Sequence, residues 1–349
     1  MASDQQKTLG INSPEIDSSI GNLIDMLGSG CTPIEKDLVT QMMKTSLRML
    51  QETHHSGQLK LMSSALKEMR YAYHIFNDYQ DTLKVSIFGS ARTPSTHPDY
   101  AAARAFSQGM AKAGWMVITG GGDGIMKAGH DGLTSQSIFG LAIRLPFETS
   151  ANDIIEGDSK LINFRYFFTR KLMFMTNADA LVAFPGGFGT LDELFETLTL
   201  VQTGKSHMLP IVLVEGDDGS YWKNWLEMIR VNLLGNGWIS PEDLNLFHLA
   251  PSIEDAIEHI TKFYTVYHSS RFVRRDFVLR IKRRLSDKDL LILNDEFSDI
   301  VEEGEIVQTE ALAGESLFLD LPRLVFRFTR RDIGRLRRMI DRINELGSQ

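Results

Sequence analysis

Five short apolar runs constrain this chain more than any other feature of its sequence. They are Val85-Ser86-Ile87-Phe88, Trp115-Met116-Val117-Ile118-Thr119, Ser137-Ile138-Phe139-Gly140-Leu141-Ala142-Ile143, Ala180-Leu181-Val182-Ala183-Phe184 and Pro210-Ile211-Val212-Leu213-Val214. Helical segments lie between them, among them Tyr100 to Ala113 and Ile125 to Leu133. A strand that is apolar at nearly every position must be covered on both faces, and strands joined through helices run parallel. The expectation is an α/β fold, a doubly wound parallel sheet with helices on both sides. Glycines cluster just after the strand ends, where such sheets place their ligand crevice.

The flanks read differently. Residues 1–82 form a helical region: Thr32-Pro33-Ile34-Glu35 is a capping box that opens an apolar pattern through Leu38, Met42, Met43, Leu47 and Leu50. A break is expected from His54 to Gly57. A Met-rich stripe (Leu59, Met62, Leu66, Met69, Tyr73, Phe76) then reads as core or subunit packing. Residues 83–266 hold the sheet, and 267–349 read as a small α+β appendage, with strands near Phe277 to Lys282 and Leu324 to Phe328 and helices near Ser286 to Val301 and Arg331 to Ile343. Basic residues crowd that appendage at Arg271, Arg274, Arg275, Arg280, Lys282, Arg283 and Arg284, and again from Arg330 to Arg342. Acids are nearly as frequent there, so a solvated or salt-bridged face is the first reading and an anionic effector site the second.

The 349 residues carry 37 Lys and Arg against 45 Asp and Glu, a formal charge of -8, which disfavours nucleic acid as a partner. The one cysteine, Cys31, has no internal partner, and no Cys/His cluster has zinc spacing, as expected for a reducing cytoplasm. No apolar run reaches the roughly 18 residues of a membrane helix, and Met1 to Leu9 lack the blocks of a signal peptide.

The chemistry concentrates in Phe184-Pro185-Gly186-Gly187-Phe188-Gly189-Thr190-Leu191-Asp192-Glu193. A strand runs into a glycine turn, and a helix expected from Leu191 to Gln202 follows. Gly186, Gly187 and Gly189 let main-chain amides approach an anion, and the helix aims its positive end at it. Thr190 is expected to cap that helix and to offer a hydroxyl to a phosphate. The same turn without a ligand is the competing reading. The P-loop pattern G-x-x-x-x-G-K-[ST] is missing, which disfavours an ATPase. Glu193 and Glu196 share a helix face; Glu193 either points at a ribose carbon that becomes cationic or is a surface carboxylate. Arg170 sits in the aromatic stretch Asn163 to Met175, a costly place for a charge without a partner such as a phosphate or Glu193, unless it lies at the surface. Gly120 to Gly124 fits no G-x-G-x-x-G register, so a mononucleotide suits it better than a dinucleotide.

These residues resemble the LOG ("Lonely Guy") family of phosphoribohydrolases, once mislabelled lysine decarboxylases. The likeness spans Leu83 to Tyr264 and rests on P-G-G-x-G-T-x-x-E at Pro185 to Glu193, the pair Arg170-Lys171, and Thr199 to Gly204. The resemblance implies a Rossmann-like sheet, a homodimer or higher assembly, and hydrolysis of AMP-like nucleoside 5′-monophosphates to free base and ribose 5-phosphate with no metal or redox cofactor. By position it makes Glu193 and Arg170 the catalytic pair. It gives the 5′-phosphate to Gly186, Gly187, Gly189 and Thr190, with Lys171 in support, and lines the nucleotide with Ser90, Gly121 and Gly122. Longer members carry Glu and Asn where this chain has Lys127 and His130. Those two departures and the extra flanks favour the alternative, a nucleotide-binding regulator without turnover.

Overall fold

The computed structural model describes residues 11–52, 55–144 and 151–347. Met1 to Leu9 and His54, on which two of the expectations above fall, lie outside the described residues. The chain divides into two compact units, Met1–Leu66 and Lys67–Gln349. In the first, α1 (Pro14–Leu27) is capped by Ser13, and α2 (Pro33–Arg48) by Thr32. The capping box is present: Thr32 Oγ1 accepts from the Glu35 amide at 3.3 Å, and the Glu35 carboxylate accepts from the Thr32 amide at 2.6 Å. No residue of α2 is buried. The third helix, α3 (Ser56–Phe76), carries the Met-rich stripe; Phe76 enters the core and Met69 packs on it, while Leu59, Met62, Leu66 and Tyr73 are exposed.

The second unit is built on a seven-stranded sheet. In chain order its elements are β1 (Lys84–Phe88), α4 (Pro98–Lys112), β2 (Met116–Thr119), α5 (Ile125–Ala128), β3 (Ile138–Ile143), β4 (Leu161–Phe164) and α6 (Phe167–Asn177). They continue as β5 (Ala180–Ala183), α7 (Phe188–Gln202), β6 (Ile211–Leu213), α8 (Tyr221–Met228), β7 (His248–Leu249) and α9 (Ile253–Phe263). The strand order is β4-β3-β2-β1-β5-β6-β7, with every neighbouring pair parallel. Alternate residues of one strand feed opposite cores. Val117 of β2 joins the cluster holding Phe106 of α4 and Ile260 of α9, whereas Met116 and Ile118 join Met173 and Phe174 of α6. That two-sided burial is why the strands are apolar throughout. The expected Rossmann-like doubly wound sheet is therefore present. The edge strands β4 and β7 were not legible in the sequence, being four and two residues long. The helix expected from Ile125 to Leu133 stops at Ala128, where Gly129 and then Gly132, at φ +79°, turn the chain toward β3.

The C-terminal region adds β8 (Tyr267–Val273), β9 (Asp276–Ile281), α10 (Asp287–Glu296), β10 (Val307–Thr309), β11 (Arg323–Phe326) and α11 (Ile333–Gly347). Its strands form an antiparallel sheet in the order β10-β11-β9-β8. Strand β8, Tyr-His-Ser-Ser-Arg-Phe-Val, escaped the sequence reading because it carries little apolar signal. The hydrophobic core runs without a break from Val182 and Ile260 into Tyr267, Leu279, Phe326 and Ile340. Asn344 of α11 fixes that junction: its side-chain oxygen accepts from the amides of Val266 and Tyr267, and its nitrogen donates to Phe263 O at 2.7 Å. Many of the crowded arginines are paired with acids. Arg280 and Arg323 both hold Glu315, at 2.7 and 3.1 Å, and Arg342 holds Glu296 at 2.9 Å. Against burial, which raises it, hydrogen bonds from Arg323, Arg280 and the Leu312 amide bring the Glu315 carboxyl down to about 2.

Helix α11 packs closely on the turn at Pro241–Leu246, where a side chain on Gly334 would overlap the carbonyl of Glu242. Gly334→Ala is therefore expected to destabilise the protein by about 2–3 kcal/mol, the cost of forcing atoms into a packed contact. The shift of the urea midpoint at constant m-value measures it; an unchanged midpoint would mean that the contact yields freely.

Candidate active site

The chain runs outward from β1 to β4 on one side of the sheet and from β5 to β7 on the other, so the order reverses between β1 and β5. Ligands of open α/β sheets bind outside the strand ends at such a reversal. A cavity of about 830 Å³ lies there, walled by Gly89, Ser90 and Arg92 after β1, Gly120 after β2, Arg170 of α6, and the run from Gly186 to Glu193. The two central loops are tied together by the Ser90 amide, which donates to Pro185 O at 3.1 Å. The glycine turn is also held from α8, where the Tyr221 hydroxyl donates to Gly186 O at 2.7 Å. A side chain on Gly186 would overlap Thr190 Oγ1 and come 2.9 Å from the Ser90 nitrogen, so only glycine fits.

Helix α7 begins earlier than the sequence suggested. Gly187 is its N-cap, at φ −89° and ψ −155°, with no side-chain capping bond, and Thr190 lies inside the first turn. The expectation that Thr190 caps the helix is corrected. The extended backbone at Gly187 starts the helix before Thr190 is reached, and the hydroxyl packs over Gly186 instead. The first-turn amides, which an α-helix leaves without intrahelical acceptors, thus belong to residues that line the cavity.

Glu193 opens onto the same space and is only 7% exposed. Burial pushes its carboxyl up to about 7, with Lys171 and Arg170 pulling the other way and Glu196 and Asp192 adding to the rise. Lys171 stands between the acids of α7, 2.8 Å from Asp192, 2.5 Å from Glu196 and 3.9 Å from Glu193. Arg170 is seated differently. Its Nε donates to Leu141 O at 2.6 Å, its guanidinium lies 5.2 Å from the Phe174 ring, and a side chain on Gly120 would come 2.5 Å from it. The carbonyl and the aromatic face answer the cost of placing this charge among large apolar residues.

The structure therefore brings Glu193, Arg170, Gly186, Gly187, Gly189, Thr190 and Ser90 to one cavity. Lys171 faces the carboxylates, and Gly120 lines the cavity where Gly121 and Gly122 were expected. Those two glycines are held from behind: their carbonyls accept from Asn152 Nδ2 at 3.1 and 2.9 Å, and the Gly121 amide donates to Thr119 Oγ1 at 3.0 Å. Lys127 pairs with Asp153 at 2.7 Å. His130 is fully buried, with Nε2 donating to Phe139 O at 3.0 Å, and burial pushes it down to about 4, so it is neutral. Neither of these two residues lines the cavity. Tyr221 and Asn152 went unread in the sequence, since nothing local marks a residue whose partner lies some thirty positions away. Arg92 went unread because only the fold sets the loop after β1 against the glycine turn.

A family model described as possible lysine decarboxylase matches residues 123–260. The probable cytokinin riboside 5′-monophosphate phosphoribohydrolase LOG4 of Oryza sativa subsp. japonica is 31% identical over 153 residues, 42% of this chain and 62% of that one. Cytokinin riboside 5′-monophosphate phosphoribohydrolase LOG7 of Arabidopsis thaliana is 33% identical over 94 residues, 27% of this chain and 42% of that one. This chain thus spans less than two thirds of either protein. Cytokinin riboside 5′-monophosphate phosphoribohydrolase LOG1 of Arabidopsis thaliana is 30% identical over 159 residues, 42% of this chain and 68% of the relative. With that match, and with P-G-G-x-G-T-x-x-E intact from Pro185 to Glu193 on a cavity at the sheet's reversal point, this chain belongs to the LOG family.

Proposed function

We propose that the cavity binds a nucleoside 5′-monophosphate, AMP-like in size, and hydrolyses its N-glycosidic bond to free base and ribose 5-phosphate. The observation that carries this reading is Glu193: a buried carboxyl, poised at about 7, on the same cavity as the glycine turn and the start of α7. Cleavage of an N-glycosidic bond develops positive charge at C1′. The Glu193 carboxylate stabilises that charge and takes a proton from the attacking water. The water oxygen ends on C1′, and a proton ends on the departing base nitrogen. Gly186 to Thr190 anchor the phosphate, and Arg170, fixed by Leu141 O, orients the sugar against Glu193. Lys127 and His130 lie off the cavity, so no residue of the site favours a regulator without turnover. Self-association belongs to the same proposal, because Phe167, Phe168 and Leu172 of α6 are exposed apolar residues at 52, 52 and 43%. A cytoplasmic location belongs to it too; among the described residues no helix is long and apolar enough to cross a membrane.

Chromatography of AMP, GMP, CMP and UMP after incubation with the protein tests the reaction, and a wild type inert on all four would sink it. The pH profile tests the role of Glu193. A group that works as a carboxylate and is poised at about 7 predicts kcat/KM rising by roughly tenfold from about pH 6 to about pH 8. A profile flat across that window would remove Glu193 from the chemistry.

A further inference from the structure

We propose that Arg92 is the cation that holds the substrate's phosphate, the supporting role that Lys171 was expected to fill. The inference rests on the reading that the cavity takes a sugar 5-phosphate. It begins from a charge imbalance. A phosphate monoester brings about −1.5 to −2 at pH 7, and the start of a helix offsets only about half a charge. Asp192 and Glu193 line the same cavity and repel it further. A side-chain cation is needed next to the glycine turn.

Three candidates carry that charge. Lys171 is committed to Asp192 and Glu196, is 14% exposed, and does not line the cavity. Arg170 lines it, but from the side of β2 and β3, tethered to Leu141 O and over Phe174 next to Gly120. Arg92 lines it from the loop after β1, the strand adjacent to β5, which feeds the glycine turn. The Arg92 amide donates to Ser90 Oγ at 3.1 Å, and the Ser90 amide donates to Pro185 O, so this loop and the turn form one wall. Arg92 is exposed, and no acid among the described residues pairs with it. A guanidinium on a flexible stem, two residues from Ser90, is suited to close on phosphate oxygens with two parallel hydrogen bonds.

The test is calorimetric titration of the full chain with ribose 5-phosphate, with inorganic phosphate as a second probe to separate recognition of the sugar from that of the anion. Wild type is expected to bind ribose 5-phosphate. Arg92→Gln is expected to weaken that binding by about tenfold or more, Arg92→Lys by less, and Lys171→Gln by under about threefold. Arg92 is at the surface, so the variant is expected to melt with wild type, which a thermal scan checks. Absence of binding by wild type, an Arg92→Gln affinity within twofold of wild type, or a larger loss in Lys171→Gln than in Arg92→Gln would each overturn the assignment. If the four nucleotides release no base while ribose 5-phosphate still binds and depends on Arg92, the hydrolase reading fails and the phosphate assignment stands.

Discussion

Glu193→Gln is expected to lower base release from nucleoside 5′-monophosphates by about 10³-fold while leaving ribose 5-phosphate binding within a few-fold of wild type. The amide keeps the shape of the carboxyl but cannot become an anion opposite C1′. The same change is expected to stabilise the fold at high pH. Burial raises the Glu193 carboxyl from 4.5 to about 7. The folded protein thus holds the proton more tightly than the unfolded chain. Its contribution to stability is fully present below 4.5 and is lost as pH rises through about 7. The span from 4.5 to about 7 corresponds to about 3 kcal/mol at most, so Glu193→Gln should gain about 1–3 kcal/mol at pH 8 and nothing near pH 4.5. Urea titrations at the two pH values measure this. A variant that loses activity and gains no stability at pH 8 would show that the carboxyl is not strained by burial. Such an exchange of stability for activity is common at sites that need a destabilised group.

Gly186→Ala is expected to reduce kcat/KM for nucleotides by about 100-fold, the loss associated with displacing a bound substrate by about an ångström. The new methyl would overlap Thr190 Oγ1 and come 2.9 Å from the Ser90 nitrogen, so either α7 or the loop after β1 must move. Both walls of the cavity would shift, and the Tyr221 bond to Gly186 O would loosen with them. Steady-state kinetics with ribose 5-phosphate as a competitive inhibitor reads both effects. A variant within threefold of wild type in kcat/KM and in inhibition would place the phosphate elsewhere.

Local pattern carried much of this protein. The apolar runs from Val85, Trp115, Ala180 and Pro210 announced buried parallel strands, because two-sided burial leaves its mark on each strand separately. The capping box at Thr32 and the glycine turn at Pro185 were equally legible, each being complete within a few residues. Other features depend on chain segments far apart in sequence. The family resemblance gave Lys171 a supporting contact by position, and nothing local showed that α6 packs so that Lys171 meets the acids of α7 while Arg170 crosses to Leu141 and Gly120. Thr190 was read as a cap because capping is a residue preference, but the extended backbone at Gly187 starts the helix earlier.

The sequence by itself determined which residues could form strands, where the backbone could turn tightly, and that a carboxylate and an arginine stood near a glycine turn, because periodicity and local sterics act over a few residues. The tertiary structure decided which charges face the cavity, that Gly120 rather than Gly121 or Gly122 lines it, and that Glu193 is buried enough to be poised at about 7. Burial and charge separation are properties of packed space, and they exist only once α6, α7 and the loop after β1 have met.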